Sequence, residues 1–165
     1  MRIRSIGIGL ALVGVAIVLF GAACGGGDDD SSSLTTWTQE GISMEPNVVH
    51  EQQVNVRAYD DEEPARGDIV FFKAPTEPSD VPERFFLKRV IGMPGETIEV
   101  RDLELLIDGE PVDEPYILEA TRYTFELTTI PAEHYFVLGD NRNNSSDSHT
   151  FGAVPAENIT GYVVN

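Results

Sequence analysis

Two short stretches of this chain hold residues that could do chemistry. One is the serine of Gly41-Ile42-Ser43-Met44-Glu45-Pro46, the other the lysine of Phe85-Phe86-Leu87-Lys88-Arg89-Val90-Ile91. Gly41 removes side-chain bulk and Pro46 fixes the backbone beyond the serine, which displays Ser43 rather than packing it. Lysine is scarce: Lys73 and Lys88 are the only two. Lys88 sits in an apolar run that reads as a strand, where Phe86, Lys88 and Val90 share one face. A lysine held among apolar neighbours loses its preference for charge. Its pKa then falls from about 10.4, and it can act as a general base near neutral pH. Plainer readings stand beside these. Serines in Gly/Pro turns are mostly turn formers, and a sheet-edge lysine packs its stem and leaves its head in water.

A third stretch is the polar loop Gly139-Asp140-Asn141-Arg142-Asn143-Asn144-Ser145-Ser146-Asp147-Ser148. Arg142 stands where a calcium loop of the EF-hand type needs Asp or Asn, and the sixth position is not glycine, so that reading is set aside. The loop is either a run of Asx turns or a source of hydrogen bonds to a site. Other nucleophile templates fail. The segment around Ser43 lacks the second glycine of a nucleophile elbow, and no lysine stands three residues on. His50, His134 and His149 could each join a serine, but no spacing selects one.

The elements that must position these residues are strands. Val48–Tyr59, Ile69–Phe72, Phe85–Ile91, Thr97–Val100, Leu103–Ile107, His134–Leu138 and Ile159–Val164 are short, apolar or alternating, and bounded by turn residues. Asp108-Gly109 predicts a hairpin. Tyr116–Leu127 is a weaker strand candidate. No amphipathic helix and no repeat is present. The fold class is therefore mostly β, an antiparallel barrel or sandwich.

Ahead of this domain (34–165) lies an apolar run over 6–23, preceded by Arg2 and Arg4. As a helix it would reach about 27 Å, marginally a bilayer span. The basic flank keeps the N-terminus in the cytoplasm and sends the rest of the chain across the membrane. Residues 1–24 are either a transmembrane anchor or a lipoprotein-like signal ending at Cys24, a possible lipid site. Residues 25–33, Gly/Asp/Ser only, make a flexible tether. Cys24 is the sole cysteine, which excludes an internal disulfide and a zinc cluster. The net charge of -17 argues against nucleic acid as an electrostatic partner.

Four blocks in order resemble the bacterial type I signal peptidases: Gly41 to Pro46, Arg66-Gly67-Asp68-Ile69-Val70-Phe71-Phe72, Lys88-Arg89-Val90-Ile91-Gly92-Met93-Pro94-Gly95-Glu96, and Gly139 to Gly152. The resemblance implies a β fold with a shallow groove and a Ser–Lys dyad that dispenses with histidine. It makes Ser43 the nucleophile, Lys88 the base, Ser145 the hydroxyl that orients the lysine, and the Ser43 N–H the oxyanion donor. It makes Asp140 the acid that braces Arg89, and Asp147 a second structural acid. Asn47, His149 and Phe151 depart from the family's usual threonine, arginine and tryptophan. His149 would make its brace with Asp147 sensitive to pH. The implied partners are signal peptides of exported preproteins and membrane lipid, without metal or cofactor. The site would lie on the extracytoplasmic side of a bacterial membrane. Leu34, Trp37, Ile42 and Met44 could form an apolar edge toward the bilayer, or be ordinary core. The rival expectation is a lipid-tethered β-domain that binds peptides without cutting them.

Overall fold

The structure is a computed structural model that describes residues 34–59, 62–75 and 84–164. The anchor or signal expected at 1–24, Cys24, the tether at 25–33 and residues 76–83 of the proline-rich loop lie outside the described residues. Strand β1 is Leu34–Thr38, β2 Gln53–Ala58, β3 Ile69–Lys73 and β4 Phe85–Gly92. Next come β5 Thr97–Arg101, β6 Glu104–Ile107, β7 Glu110–Pro111, β8 Phe125–Thr129 and β9 His134–Leu138. A one-turn helix, α1, Ser148–Phe151, precedes β10, Val154–Pro155, and β11, Ile159–Val164.

Every pairing among the described residues is antiparallel. One sheet has the order β1-β2-β11-β3-β4-β9-β10 and the other β7-β6-β5-β8. The larger sheet curls. β1 and β4 stand four places apart in it, yet the Trp37 ring of β1 lies 6.5 Å from the Phe85 ring of β4 and 4.7 Å from Phe71 of β3. The curl encloses Met44, Val48, Val54, Val56 and Leu87. The opposite face of β3, β4 and β9 buries Val70, Phe72, Val90 and Val137. The second sheet packs Ile98, Val100 and Leu105 with Ile91, Phe136 and Leu138.

The structure shortens some expected elements. The strand expected from Val48 begins only at Gln53, because Ile42 to Val48 is folded into consecutive turns by Glu45 N–H to Ile42 O and Val48 N–H to Met44 O bonds. Leu103 is not in a strand. The register Arg101↔Glu104 leaves Asp102-Leu103 as a two-residue turn, so both take positive φ, 53° and 69°. The hairpin at Asp108-Gly109 forms as its sequence predicts, with φ of 51° and 81°. Of Tyr116–Leu127, only Phe125 onward pairs, with β5. Upstream of it, the Val112–Thr124 segment is irregular and docks on the loop after β9.

Candidate active site

Ser43 is displayed because its neighbour is not. The Met44 side chain is fully buried among Val48, Val54, Val56 and Leu87, which stabilises the turn by about 2 kcal/mol. Met44 thus belongs to the core and not to an apolar edge at the membrane. Leu34 and Ile42 do remain exposed, at 53% and 46%. Gly41 has φ of +86°, a conformation that favours glycine. Its N–H donates to His50 Nδ1 at 3.0 Å. Among the described residues nothing takes the Ser43 N–H.

Lys88 projects from β4 and is 2% exposed. Its Nζ lies 2.9 Å from Ser43 Oγ and 2.9 Å from the Leu87 carbonyl, and 5.3 Å above the Phe86 ring. Burial pushes its pKa down from 10.5 to about 8, against the opposing fields of Asp147 and Asp140. A lysine tuned this way is neutral in an appreciable fraction near neutral pH. Its lone pair then faces the Ser43 hydroxyl proton at hydrogen-bond distance, the geometry a general base needs. None of His50, His134 and His149 hydrogen-bonds Ser43.

The loop after β9 clamps the serine turn to the lysine strand. Asn141 N–H donates to Ser43 O at 3.1 Å, and Asn141 Nδ2 to Ile42 O at 3.2 Å. Asp140 is fully buried and accepts from Arg89 Nε at 2.8 Å and Arg89 Nη2 at 2.7 Å. Asn47 Nδ2 donates to the same carboxylate at 2.9 Å and to Tyr116 O at 2.7 Å. Ser43, Lys88, Arg89, Asp140 and Asn141 therefore form a closed ring of bonded and sequential neighbours, with Asn47 bonded to its carboxylate. Asn47, a departure from the family's threonine, offers two donor hydrogens and uses both.

Asp147 is also fully buried. It accepts from Gly139 N–H at 2.9 Å and meets His149 Nδ1 at 2.6 Å, so the expected brace forms with histidine in place of arginine. The His149 ring stacks on Tyr123 at 4.3 Å. Phe151 stacks on Phe86 at 6.4 Å and so keeps an aromatic contact beneath the lysine.

Ser145 lies at the site but not on the lysine. Its Oγ is buried and makes no hydrogen bond among the described residues. It packs against Gly139: a Cβ there would sit 2.3 Å from Ser145 Oγ and 2.5 Å from Ser43 O, so only glycine lets these segments meet. Residue reasoning missed the buried Arg142–Glu114 pair, in which both guanidinium nitrogens meet the carboxylate and fix the loop to the Val112–Thr124 segment. An arginine inside a turn-rich run was its only signal, and its partner lies 28 residues away.

A cleft of about 350 Å³ opens beside the dyad and is walled by Trp37, Glu40, Phe85, Phe86 and Leu87. It runs along an unpaired stretch of strand. β4 pairs with β3 along Phe85–Arg89 but with β9 only from Arg89 onward. Ala74 N–H bonds Arg84 O and Val90 N–H bonds Asp68 O, so even-numbered peptide groups turn to β3. Those of Phe85 and Leu87 face the cleft.

An antiparallel β scaffold that seats a buried, pKa-lowered lysine on a displayed serine defines the Ser–Lys class of hydrolytic site. The family model described as signal peptidase, peptidase S26, matches residues 29–165. The chain belongs to this signal peptidase family. It is 47% identical over 105 residues to a signal peptidase I of Leptolyngbya laminosa, covering 61% of this chain and 51% of that protein. It is 35% identical over 140 residues to signal peptidase I V of Bacillus subtilis, covering 75% and 80%. The crystal structure of a signal peptidase I from Enterococcus faecalis superposes with a TM-score of 0.53 at 32% identity, over 64% of this chain and 100% of the other. The chain spans about half the length of its Leptolyngbya and Synechocystis relatives.

Proposed function

We propose that this chain is a serine endopeptidase that removes N-terminal signal peptides from exported preproteins. The observation that carries this is the 2.9 Å contact between Lys88 Nζ and Ser43 Oγ at a buried lysine. Neutral Lys88 takes the Ser43 proton as Oγ attacks the scissile carbonyl. The C–N bond then breaks, Lys88 hands that proton to the departing amine, and an acyl-serine remains. Water, deprotonated by Lys88, attacks the ester, and the proton returns to Ser43 as the acid product leaves. The Ser43 N–H stabilises the oxyanion. Ser145, packed against Gly139, and Asp140 and Asp147 hold the loop against the serine turn.

The residues before the scissile bond stay attached to Ser43 in the acyl-enzyme, so they occupy the open edge of β4 as an added strand. The chain acts at a bacterial membrane, on its extracytoplasmic side, held by an anchor or lipoprotein-like signal over residues 1–24 and a tether over 25–33, with lipid as a second partner. Among the described residues no helix is long and apolar enough to cross a membrane. The non-cutting rival has nothing in the geometry to favour it, since Ser43 and Lys88 meet.

The test is incubation of the chain in detergent micelles with a preprotein whose leader ends in Ala-X-Ala, with the new N-terminus read by mass spectrometry. Cleavage after the last alanine is expected. Binding without any cut would overturn the reading. The pH profile is a second check. Lys88 is protonated and useless as a base below its pKa, so single-turnover acylation should climb with pH and level off above about 8. A rate that is flat or falling between about pH 6 and 9 would remove Lys88 from the role.

A further inference from the structure

A second cavity, of about 370 Å³, lies away from the dyad, between the loop after β2 and the start of β9. Pro94, in its wall, comes well after Lys88 in the chain, about 20 Å on at the rise of an extended strand. The floor is apolar and aromatic, made by Tyr59, Pro64, Tyr135 and Ile159. The rim carries Glu62, Glu63 and Glu133, all exposed. No Lys or Arg lines the cavity, and none of these glutamates forms an ion pair among the described residues. A second observation is independent of the rim. Tyr135 is 3% exposed, yet its hydroxyl makes no hydrogen bond among the described residues. Its ring packs with Val70, Val137 and Val154, while the side chain reaches the cavity. Burial, and after it the field of Glu63, push the hydroxyl's pKa up. A buried phenol without a protein partner takes its partner from the cavity. The walls are set in advance. Tyr59 Oη donates to Asp68 Oδ2 at 2.8 Å, the Ala65 N–H donates to the same oxygen at 2.9 Å, and the Ala156 N–H donates to Glu133 O at 2.8 Å.

We infer that this cavity is a binding site for the guanidinium or ammonium head of an organic cation on a short apolar stem, the chemistry of an arginine or lysine side chain. The stem covers the apolar surface of Pro64 and Ile159. The head lies against the tyrosine rings, whose faces attract a cation, and between carboxylates that have no other cation to meet. One of its N–H groups donates to the Tyr135 hydroxyl oxygen, which supplies the missing partner. Among the described residues no three carboxylate or imidazole groups converge as metal ligands, so a charge spread over an organic head fits this rim and a bare metal ion does not. A cleft of about 310 Å³ adjoins the cavity, shares Glu133 and Ala156 with it and adds Glu157. A peptide with a second basic residue therefore meets a further carboxylate, which favours a peptide side chain over a free cation as the occupant.

The experiment titrates the full chain in detergent micelles with butylguanidinium and, separately, with its neutral isostere butylurea, and follows the tyrosine ring signals by NMR. The Tyr59 and Tyr135 signals should shift saturably with butylguanidinium, with half-saturation at about 1–10 mM. Butylurea should bind at least about tenfold more weakly, because it lacks the charge. The combined Glu63→Gln, Glu133→Gln variant, altered only at exposed positions, should weaken butylguanidinium by about tenfold, and Tyr135→Phe by about threefold. No saturable shift, equal binding of the two probes, or unchanged affinity in the glutamine pair would overturn the site. A tripeptide Ala-Arg-Ala blocked at both ends identifies the source. Binding at least about tenfold tighter than butylguanidinium marks a peptide side chain as the occupant, equal binding marks a free cation, and either upholds the site. The two probes on the unaltered chain decide the matter even if a variant does not fold. Cleavage is not read, so the outcome is separate from that of the peptidase test.

Discussion

Lys88→Met is expected to slow acylation by about 10³-fold or more while leaving the melting temperature at pH 7 unchanged or higher. The two halves of this expectation have one cause. Lys88 is buried, and its folded pKa of about 8 lies below the 10.5 of the free side chain. The unfolded chain therefore binds more protons between those values. Below pH 8 the burial penalty acts in full, and it fades as pH rises toward 10.5. Methionine keeps most of the stem and removes the charge, so it removes that penalty along with the base. Single-turnover cleavage and thermal unfolding on one preparation check both. Lost activity with a markedly lower melting temperature would mean that Lys88 acts through structure. Retained activity would mean that some other group takes the Ser43 proton.

Asp140→Ala is expected to destabilise the fold by about 3–5 kcal/mol, because it strands a guanidinium rather than merely deleting a contact. Arg89 keeps its Gly67 carbonyl at 2.7 Å and its place over the Tyr116 ring at 4.5 Å, but loses both bonds to a fully buried carboxylate. Asn47 loses one acceptor in the same change. Denaturant unfolding measures the cost. The combined Asp140→Ala, Arg89→Met variant should recover part of it, since no buried charge is then unpaired. A cost under about 1 kcal/mol for Asp140→Ala, or no recovery in the pair, would show that the ring around the dyad is not what holds the serine turn.

How much could be read from residues alone depends on how local the information is. β3, β4, β9 and β11 are apolar runs bounded by turn residues, and the hairpin at Asp108-Gly109 is encoded in two adjacent residues, so all were legible. Ser43 and Lys88 were legible as candidates because a Gly/Pro turn and an apolar strand each leave a local mark. Their union needed the resemblance, since nothing in spacing ties residues 45 apart. The sequence leaves Met44 between an apolar edge and the core, because an apolar residue in a turn reads alike whether it faces a bilayer or a core. The Asn141 clamp joins groups 99 residues apart and depends on backbone carbonyls, which carry no sequence signature. Ser145 was legible as a member of the site but not in its hydrogen bonding, which depends on a rotamer.

The strand order has a consequence in time. β11, the last described strand, lies between β2 and β3, so those two strands cannot join through the sheet until β11 threads between them. The serine turn is carried ahead of β2, the lysine on the strand after β3. Ser43 and Lys88 are therefore brought to a common frame only once β11 has been made. Such non-local pairings close slowly. A nascent chain therefore holds both residues long before it holds a dyad.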